Sequence, residues 1–514
     1  MLTPDYLETL PDALVELWQQ VEDDILRDIA RRIGKMPDRD PLTDTAAWQA
    51  WRLEQTRLTK QEILSILARY SGKSREVIRQ MLLDAGRETL AADDAIYRSV
   101  GLFPSPIEES AALNNLLNAG YRQTLGTWQN LTATTANTVT GEFERALDRA
   151  WLQVSSGAFD YKTAIKRAVD GLAEHMAGVT YPSGHKDTLE VAVRRAVLTG
   201  ANQTCAKLQL ARADEMGCEF VEVTAHAGAR PEHALWQGKV YHRGGAVTYQ
   251  GVRYGDFEAA TGYGTGPGLC GWNCRHNFYP FFPGLSAPNY SQEQMDAFNA
   301  KEVTYGGKQY TRYEISQMQR ALERRVRWFK RQYLAEDAAG VDAIAAAAKL
   351  RAARKDLNDF VRATGGRNNS ARTSVTGFGR SQASKATARA KAYEKEQERA
   401  ILIERLRNAG NLPKTAQIHL TPTAIDVDSL GFDDEHINGQ REHGVTSAQA
   451  KEWIKNAKIS ITVWNQHYER YIGEEGAVYV NLEQNEIRTA FSSDEFEGAL
   501  PTLIEEMRKN GLLR

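Results

Sequence analysis

Disulfides do not frame this chain. It has four cysteines in 514 residues, whereas small disulfide scaffolds concentrate theirs in short secreted domains. Cys205 and Cys218 stand apart from Cys270 and Cys274, which fits a reducing compartment. No apolar run is long enough to span a bilayer, so no membrane segment is expected. The start, MLTPDYLETLPDALVELW, lacks the basic-then-apolar order of a secretory signal, and its acidic residues argue against a transit peptide. Assembly in a cytoplasm is the expectation. A surplus of charge is missing too. Lys and Arg number 64 against 66 Asp and Glu, a net charge of −2, which argues against bulk nucleic-acid binding and leaves only local patches.

What is present is globular material in quantity. Hydrophobic residues make up 42% and charged residues 25%, as in soluble folded proteins. The length exceeds one hydrophobic core, so about two to four domains are expected.

Residues 1–218 read as a helical domain. Leu14, Leu17, Trp18, Val21, Ile25 and Ile29 recur at three- and four-residue steps, one apolar stripe on a long helix. Thr59 and Glu62 make a capping-box pattern ahead of Ile63, Ile66, Leu67 and Tyr70. Gly72 is expected to end that helix and Ser74 to start the next. The pair reads as two packed helices and not as a DNA reader, because the second lacks a cluster of base-reading side chains. Further helices are expected over 111–121, 140–154, 161–175 and 188–216.

At 219 the period changes. Residues 220–223 read as a strand, and 239–241 with 247–254 as a hairpin closed by Gly244-Gly245. Residues 219–290 therefore form an expected α+β module, followed over 291–364 by a helical continuation with long helices at 312–333 and 341–364. The first of these is basic, with Arg320, Arg324, Arg325, Arg327, Lys330 and Arg331, and reads as a solvated face in preference to a phosphate-binding one. Residues 365–390, rich in Gly, Ser, Asn and Arg, read as a flexible basic linker. The remainder, 391–514, reads as a small α+β domain with helices over 390–409, 447–457 and 500–509 and strands over 459–464, 477–482 and 486–491.

The densest segment is VTAHAGARPEHALWQGKVYH followed by TGYGTGPGLCGWNCRHNFYPFFPGLS. Cys270, Cys274 and His276 lie within one turn-rich stretch, with His226 and His233 upstream. Structural zinc takes four N or S ligands in a tetrahedron, so His226 or His233 completes a Cys2His2 set. The spacing is not that of a standard zinc finger. The alternative is buried free thiols packed against Trp272 and Phe278, with the histidines hydrogen-bonded to backbone. Gly262, Gly264, Gly266 and Gly268 precede no Lys-Ser/Thr pair and no helix, so they read as turns and sites of close backbone approach, not as a phosphate cradle.

The run from His226 through Ala227-Gly228-Ala229-Arg230-Pro231, then Trp236-Gln237-Gly238, then Gly268 to His276, closely resembles the signature of phage minor capsid proteins, the portal-associated head proteins of tailed bacteriophages. The resemblance covers roughly residues 1–350 and implies a virion component present in few copies near the portal vertex, with portal and capsid proteins as partners. It does not imply catalysis by the Cys/His segment, and no cofactor other than a structural zinc is expected.

The segment FDDEHINGQREHGV places His436, Arg441, Glu442 and His443 close together, with Tyr468, Tyr479, Arg488 and Thr489 downstream. Metal-independent RNA cleavage needs a base for the ribose 2′-hydroxyl, an acid for the leaving oxygen and a cation for the phosphate. Histidines and an arginine supply those residue types. Arg441-x-His443-Gly444-Val445 with AVYVNLEQNEIRTAF resembles phage-encoded nuclease modules of the barnase, EndoU, colicin and RelE grouping, over about residues 415–510. The resemblance implies His443 as principal acid/base and Arg441 as phosphate clamp. Thr489 would position the phosphate, with His436 and Tyr479 as further candidates and RNA as partner. The alternatives are a structural protein whose last domain only binds, or a zinc-dependent enzyme centred on Cys270, Cys274 and His276. Against the enzyme, no glutamate sits beside the ligands in a metallohydrolase spacing.

Overall fold

The computed structural model describes residues 2–36, 45–156, 158–175, 178–180 and 186–513. The chain forms two compact units, Met1–Ala390 and Lys391–Arg514. Among the described residues no helix is long and apolar enough to cross a membrane.

The first unit begins with α1 (Pro4–Thr9), α2 (Asp12–Gly34), α3 (Thr45–Ser99), α4 (Ala111–Ser155), α5 (Tyr161–His175) and α6 (Leu189–Glu215), with a short antiparallel pair β1 (Gly178–Thr180) and β2 (Lys186–Thr188) ahead of α6. The stripe on α2 is buried as its period dictates, and Trp18 meets Trp128 of α4 edge-on at 5.2 Å. Ile63 and Ile66 share that core with Ile78 and Leu82, on one uninterrupted α3.

That continuity departs from the expected break at Gly72. A lone glycine costs a helix only about 1 kcal/mol, and packed isoleucines on both sides of it outweigh that. Ser74 caps nothing: its hydroxyl donates back to the Tyr70 carbonyl at 2.9 Å. The expected gap between 121 and 140 is absent for the same reason. Thr127, Thr132, Thr135 and Thr140 each donate to the carbonyl four residues back, so these poor helix formers are satisfied inside α4.

Helices α4 and α6 run antiparallel in very close contact. A methyl on Gly200 would meet the Thr124 hydroxyl at 2.5 Å, and one on Gly120 would strike Thr204 more closely still. Each helix offers a glycine to the other's threonine.

The α+β module follows: β3 (Phe220–Val223), α7 (Pro231–Ala234), β4 (Val240–His242), β5 (Val247–Tyr249), β6 (Val252–Asp256), α8 (Phe257–Thr261) and β7 (Phe278–Phe281). The sheet order is β5-β6-β4-β3-β7. The hairpin lies elsewhere than the sequence suggested. It joins β5 to β6 through Gln250 and Gly251, at φ 49° and 78°, the double left-handed backbone that suits a two-residue turn. The strand β4 instead pairs with β6 in parallel.

Next come α9 (Gln292–Asn299), the hairpin β8 (Val303–Tyr305) and β9 (Lys308–Tyr310), α10 (Arg312–Ala339), α11 (Ile344–Thr364), α12 (Ser370–Thr373) and α13 (Arg380–Ala409). Two expectations fail here. The basic face of α10 is not simply solvated: Arg327 pairs with Glu190, and Arg331 reaches Glu22 and Asp23 of α2 at 2.7 Å each. Residues 365–390 are not a free linker. Val375 is buried, Phe378 meets Tyr333 edge-on at 5.9 Å, and the Thr376 N–H donates to Asp23 at 2.6 Å. Two apolar anchors and backbone partners suffice to seat a segment whose composition reads as solvent-loving.

The second unit holds β10 (Gln417–His419), β11 (Gly431–Phe432), α14 (Ser447–Asn456), β12 (Ile459–Val463), β13 (Tyr468–Ile472), β14 (Gly476–Asn481), β15 (Glu486–Ser492) and α15 (Leu500–Lys509), with a π-helical turn at Glu435–Gln440. One sheet, ordered β10-β12-β13-β14-β15-β11, is antiparallel except where β11 joins β15. Leu406, Leu503 and Met507 cover one face, while Ala450, Ile454 and Ile437 cover the other.

Candidate functional site

Backbone packing of glycines shapes the central module. A side chain on Gly268 would drive into Gly262, and one on Gly271 into Gly266, so the run folds flat upon itself. Cys270 and Asn273 then take left-handed backbone at φ 59° and 53°. This coil delivers Cys270, Cys274 and His276 into the core beneath β3 and β7. Asn202 of α6 locks the end of the coil, donating to the carbonyls of Cys274 at 3.1 Å and His276 at 2.9 Å.

There His233 of α7 meets Cys274 and His276, and all three are buried. The Nδ1 atoms of the two histidines lie 3.3 Å apart, and Cys274 Sγ lies 3.7 Å from His233 Nδ1 and 3.6 Å from His276 Nδ1. The outer nitrogens are held as well. His233 Nε2 bonds the Pro267 carbonyl at 2.8 Å, and His276 Nε2 bonds Gln237 Oε1 at 2.9 Å. Burial brings His233 down to about 4 and His276 well below its ordinary value, so both rings are neutral; burial pushes the Cys274 thiol up to about 11.

Of the expected ligands, Cys274 and His276 are thus brought together, and His233, not His226, places a ring nitrogen with them. His226 stacks its ring on His276 at 4.6 Å. The Cys270 thiol is buried but turned to the His276 carbonyl at 3.7 Å. Sequence spacing favoured neither histidine; the short helix at Pro231 decides between them by turning His233 inward.

The family described as phage minor capsid protein 2 matches residues 2–362, a span that contains this whole Cys/His core. The chain belongs to that family. It is similar to a structural protein of Lactococcus phage LL-H, 24% identical over 317 residues, covering 58% of this chain and 81% of the relative. It is also similar to a structural protein of Lactococcus phage mv4, 35% identical over 79 residues, 15% of this chain and 55% of the relative. No solved structure matches it. This minor capsid protein is therefore a virion component, and its second unit lies beyond the family match.

Beside the Cys/His core, the minor capsid protein has a cavity of about 760 Å³ lined by His226, His233, His276 and a group of arginines. Four of those arginines converge on Glu8 of α1: Arg275 at 2.6 Å, Arg320 at 2.9 Å, Arg194 at 3.4 Å, and Arg372. Burial alone would raise the Glu8 carboxyl, but Arg275, Arg320, Arg194 and Arg372 together hold it down at about 2. Nothing in the local sequence of Glu8 signals this role, since its partners are scattered over 178 positions, from Arg194 to Arg372.

In the second unit, His443 stands between two left-handed residues, Glu442 at φ 59° and Gly444 at φ 64°. Asn438 clamps the loop by accepting the Val445 N–H at 3.0 Å. The His443 ring packs on Phe491 at 5.5 Å, and its Nδ1 donates to Glu495 Oε2 at 2.7 Å. Phe491 also contacts Tyr479 at 5.6 Å. Tyr479 pairs across the sheet with Thr489 on one side and Arg470 on the other. The Arg470 guanidinium lies 4.7 Å from the Tyr479 ring and 4.6 Å from that of Trp464. Burial raises the Tyr479 hydroxyl, with Arg470 opposing.

His443, Tyr479 and Thr489 are therefore neighbours through Phe491 and the sheet register. His436 sits apart on the π-helical turn, bonded to Gln440 at 3.1 Å, and Arg441 is exposed two residues before His443. Arg488 is taken up by Asp433. Glu495 and Arg470 were missed. Glu495 is 52 residues from His443, and the strand carrying Arg470 alternates too weakly to be recognised from its sequence.

Proposed function

We propose that this minor capsid protein sits near the portal of the virion and that its second unit cleaves RNA without a metal. The carrying observation is the 2.7 Å bond from His443 Nδ1 to Glu495. A carboxylate on one ring nitrogen fixes the tautomer and leaves Nε2 as the base. In the reaction His443 removes the proton of the ribose 2′-hydroxyl, whose oxygen attacks phosphorus. The 5′-oxygen departs with a proton, leaving a 2′,3′-cyclic phosphate. The Tyr479 hydroxyl, kept protonated by burial, is the proton donor, and Arg470 and Arg441 offset the charge growing on the phosphate. Thr489, paired with Tyr479 across the sheet, positions the phosphate. Placement near the portal rests on the family resemblance, and imaging of particles with this chain labelled tests it directly.

The catalytic test is cleavage of labelled RNA by the full chain with chelator present. His443→Ala is expected to lower the rate by about 10²–10⁴-fold, and Glu495→Gln by less. Equal cleavage by wild type and His443→Ala, or none by either, refutes the reading.

A further inference from the structure

We propose that His233, Cys274 and His276 hold a zinc ion. Zinc binds imidazole nitrogen at about 2.0–2.1 Å and thiolate sulfur at about 2.3 Å, so tetrahedral angles put two nitrogens about 3.3 Å apart and a sulfur about 3.5 Å from each nitrogen. The observed separations are 3.3 Å between the nitrogens and 3.6 and 3.7 Å from sulfur to nitrogen. Three side chains from two chain segments stand at three corners of one tetrahedron.

The outer contacts agree. His276 Nε2 lies 2.9 Å from Gln237 Oε1, an acceptor, while His233 Nε2 lies between the Pro267 carbonyl at 2.8 Å and the Arg230 guanidinium at 2.9 Å. Donation to Gln237 leaves the His276 Nδ1 unprotonated on the side of Cys274 and His233, as metal-bound histidines are oriented by their second partners. Gln237 is itself fixed, since its Oε1 also accepts the His226 N–H at 3.0 Å. The donor set of two imidazoles and one thiol selects a borderline transition metal over calcium or magnesium, which take oxygen ligands. On binding, the Cys274 S–H bond gives way to S–Zn and the proton leaves to solvent. Both histidines line the 760 Å³ cavity, a route by which water would supply the fourth ligand.

The ion would tie α7 to the coil before β7, closing a loop of 41 residues between His233 and Cys274.

The test uses the full chain, purified from zinc-supplemented cells and assayed for metal, then stripped and titrated with Co²⁺. Wild type is expected to carry one zinc per chain, and the cobalt form to show visible tetrahedral bands with a sulfur-to-cobalt charge-transfer band in the near ultraviolet. Cys274→Ser should abolish that charge-transfer band, and Gln237→Ala should weaken affinity by about 10–100-fold. Cys205→Ser, at a buried thiol outside the cluster, should retain metal and spectrum. Far-ultraviolet circular dichroism establishes that each variant is folded. Should Cys274→Ser fail to fold, the Gln237→Ala and Cys205→Ser pair decides alone. Folded wild type that takes up no metal, or a charge-transfer band that survives in folded Cys274→Ser, overturns the proposal.

Discussion

Arg331 offers the sharpest test of how the helical unit is held. Its guanidinium bridges Glu22 and Asp23 at 2.7 Å each, and those side chains are only 6% and 1% exposed. Arg331→Met keeps the stem and removes the charge, leaving two buried carboxylates against one another. Removing one partner of a buried ion pair costs about 3–5 kcal/mol. Melting entropy of about 2.1 cal/mol/K per residue, over a unit the size of Met1–Ala390, converts that into a fall in Tm of about 4–6 °C. The loss should also depend on pH. Burial already raises the Glu22 carboxyl, and Arg331 is the chief group pulling it back down. Without Arg331 the folded chain keeps protons that the unfolded chain releases above about pH 4, so stability falls as pH rises through that window. Scanning calorimetry should therefore find a larger deficit at about pH 8 than at about pH 5. Adding Glu22→Gln and Asp23→Asn to Arg331→Met should recover part of the loss. A deficit below about 1 kcal/mol, the range of an exposed pair, would refute the reasoning.

Gly200→Ala should destabilise the first unit by about 1–3 kcal/mol through its clash with Thr124. Thr124→Ala removes the obstacle, so the double variant should melt closer to wild type than the two losses combined; strict additivity in the double-mutant cycle counts against the contact. Asp93 is fully buried against Gln209, and burial pushes it from 3.8 up to about 8. A raised carboxyl contributes stability below its unfolded value that is lost as pH climbs toward the folded one. Asp93→Asn should flatten the pH dependence of the unfolding free energy between those limits by on the order of a few kcal/mol, and an unchanged slope would show that Asp93 does not carry it.

The sequence is most legible where periodicity and packing agree. The stripe from Leu14 to Ile29 became a buried helix face, the helix over 161–175 is α5, and a helical first part is followed by small sheets. It is least legible where a local signal was overruled. Gly72 and the threonines of α4 look like breaks, but tertiary packing and back-bonded hydroxyls carry the helices through. The basic run of α10 looks solvated because its counter-charges lie on α1, α2 and other distant elements. At the candidate sites the residue types were visible but the choice among them was not. His233 joins Cys274 because Pro231 starts a turn of helix there, and Glu495 finds His443 only when β15 closes the sheet. Such pairings are set by the path of the chain in space, and neighbouring letters do not encode it.

The arrangement around Glu8 is lopsided in a way that governs how it can come apart. Any one of the four guanidiniums can be lost and three remain to grip the carboxylate. Losing that single anion instead leaves Arg194 to Asp12 and Arg372 to Glu323, and sets Arg275 and Arg320 beside them with their shared counter-charge gone. The weak point of the chamber's rim is thus one residue, Glu8 on the short helix α1, and unfastening there would turn a satisfied surface into an anion-hungry one.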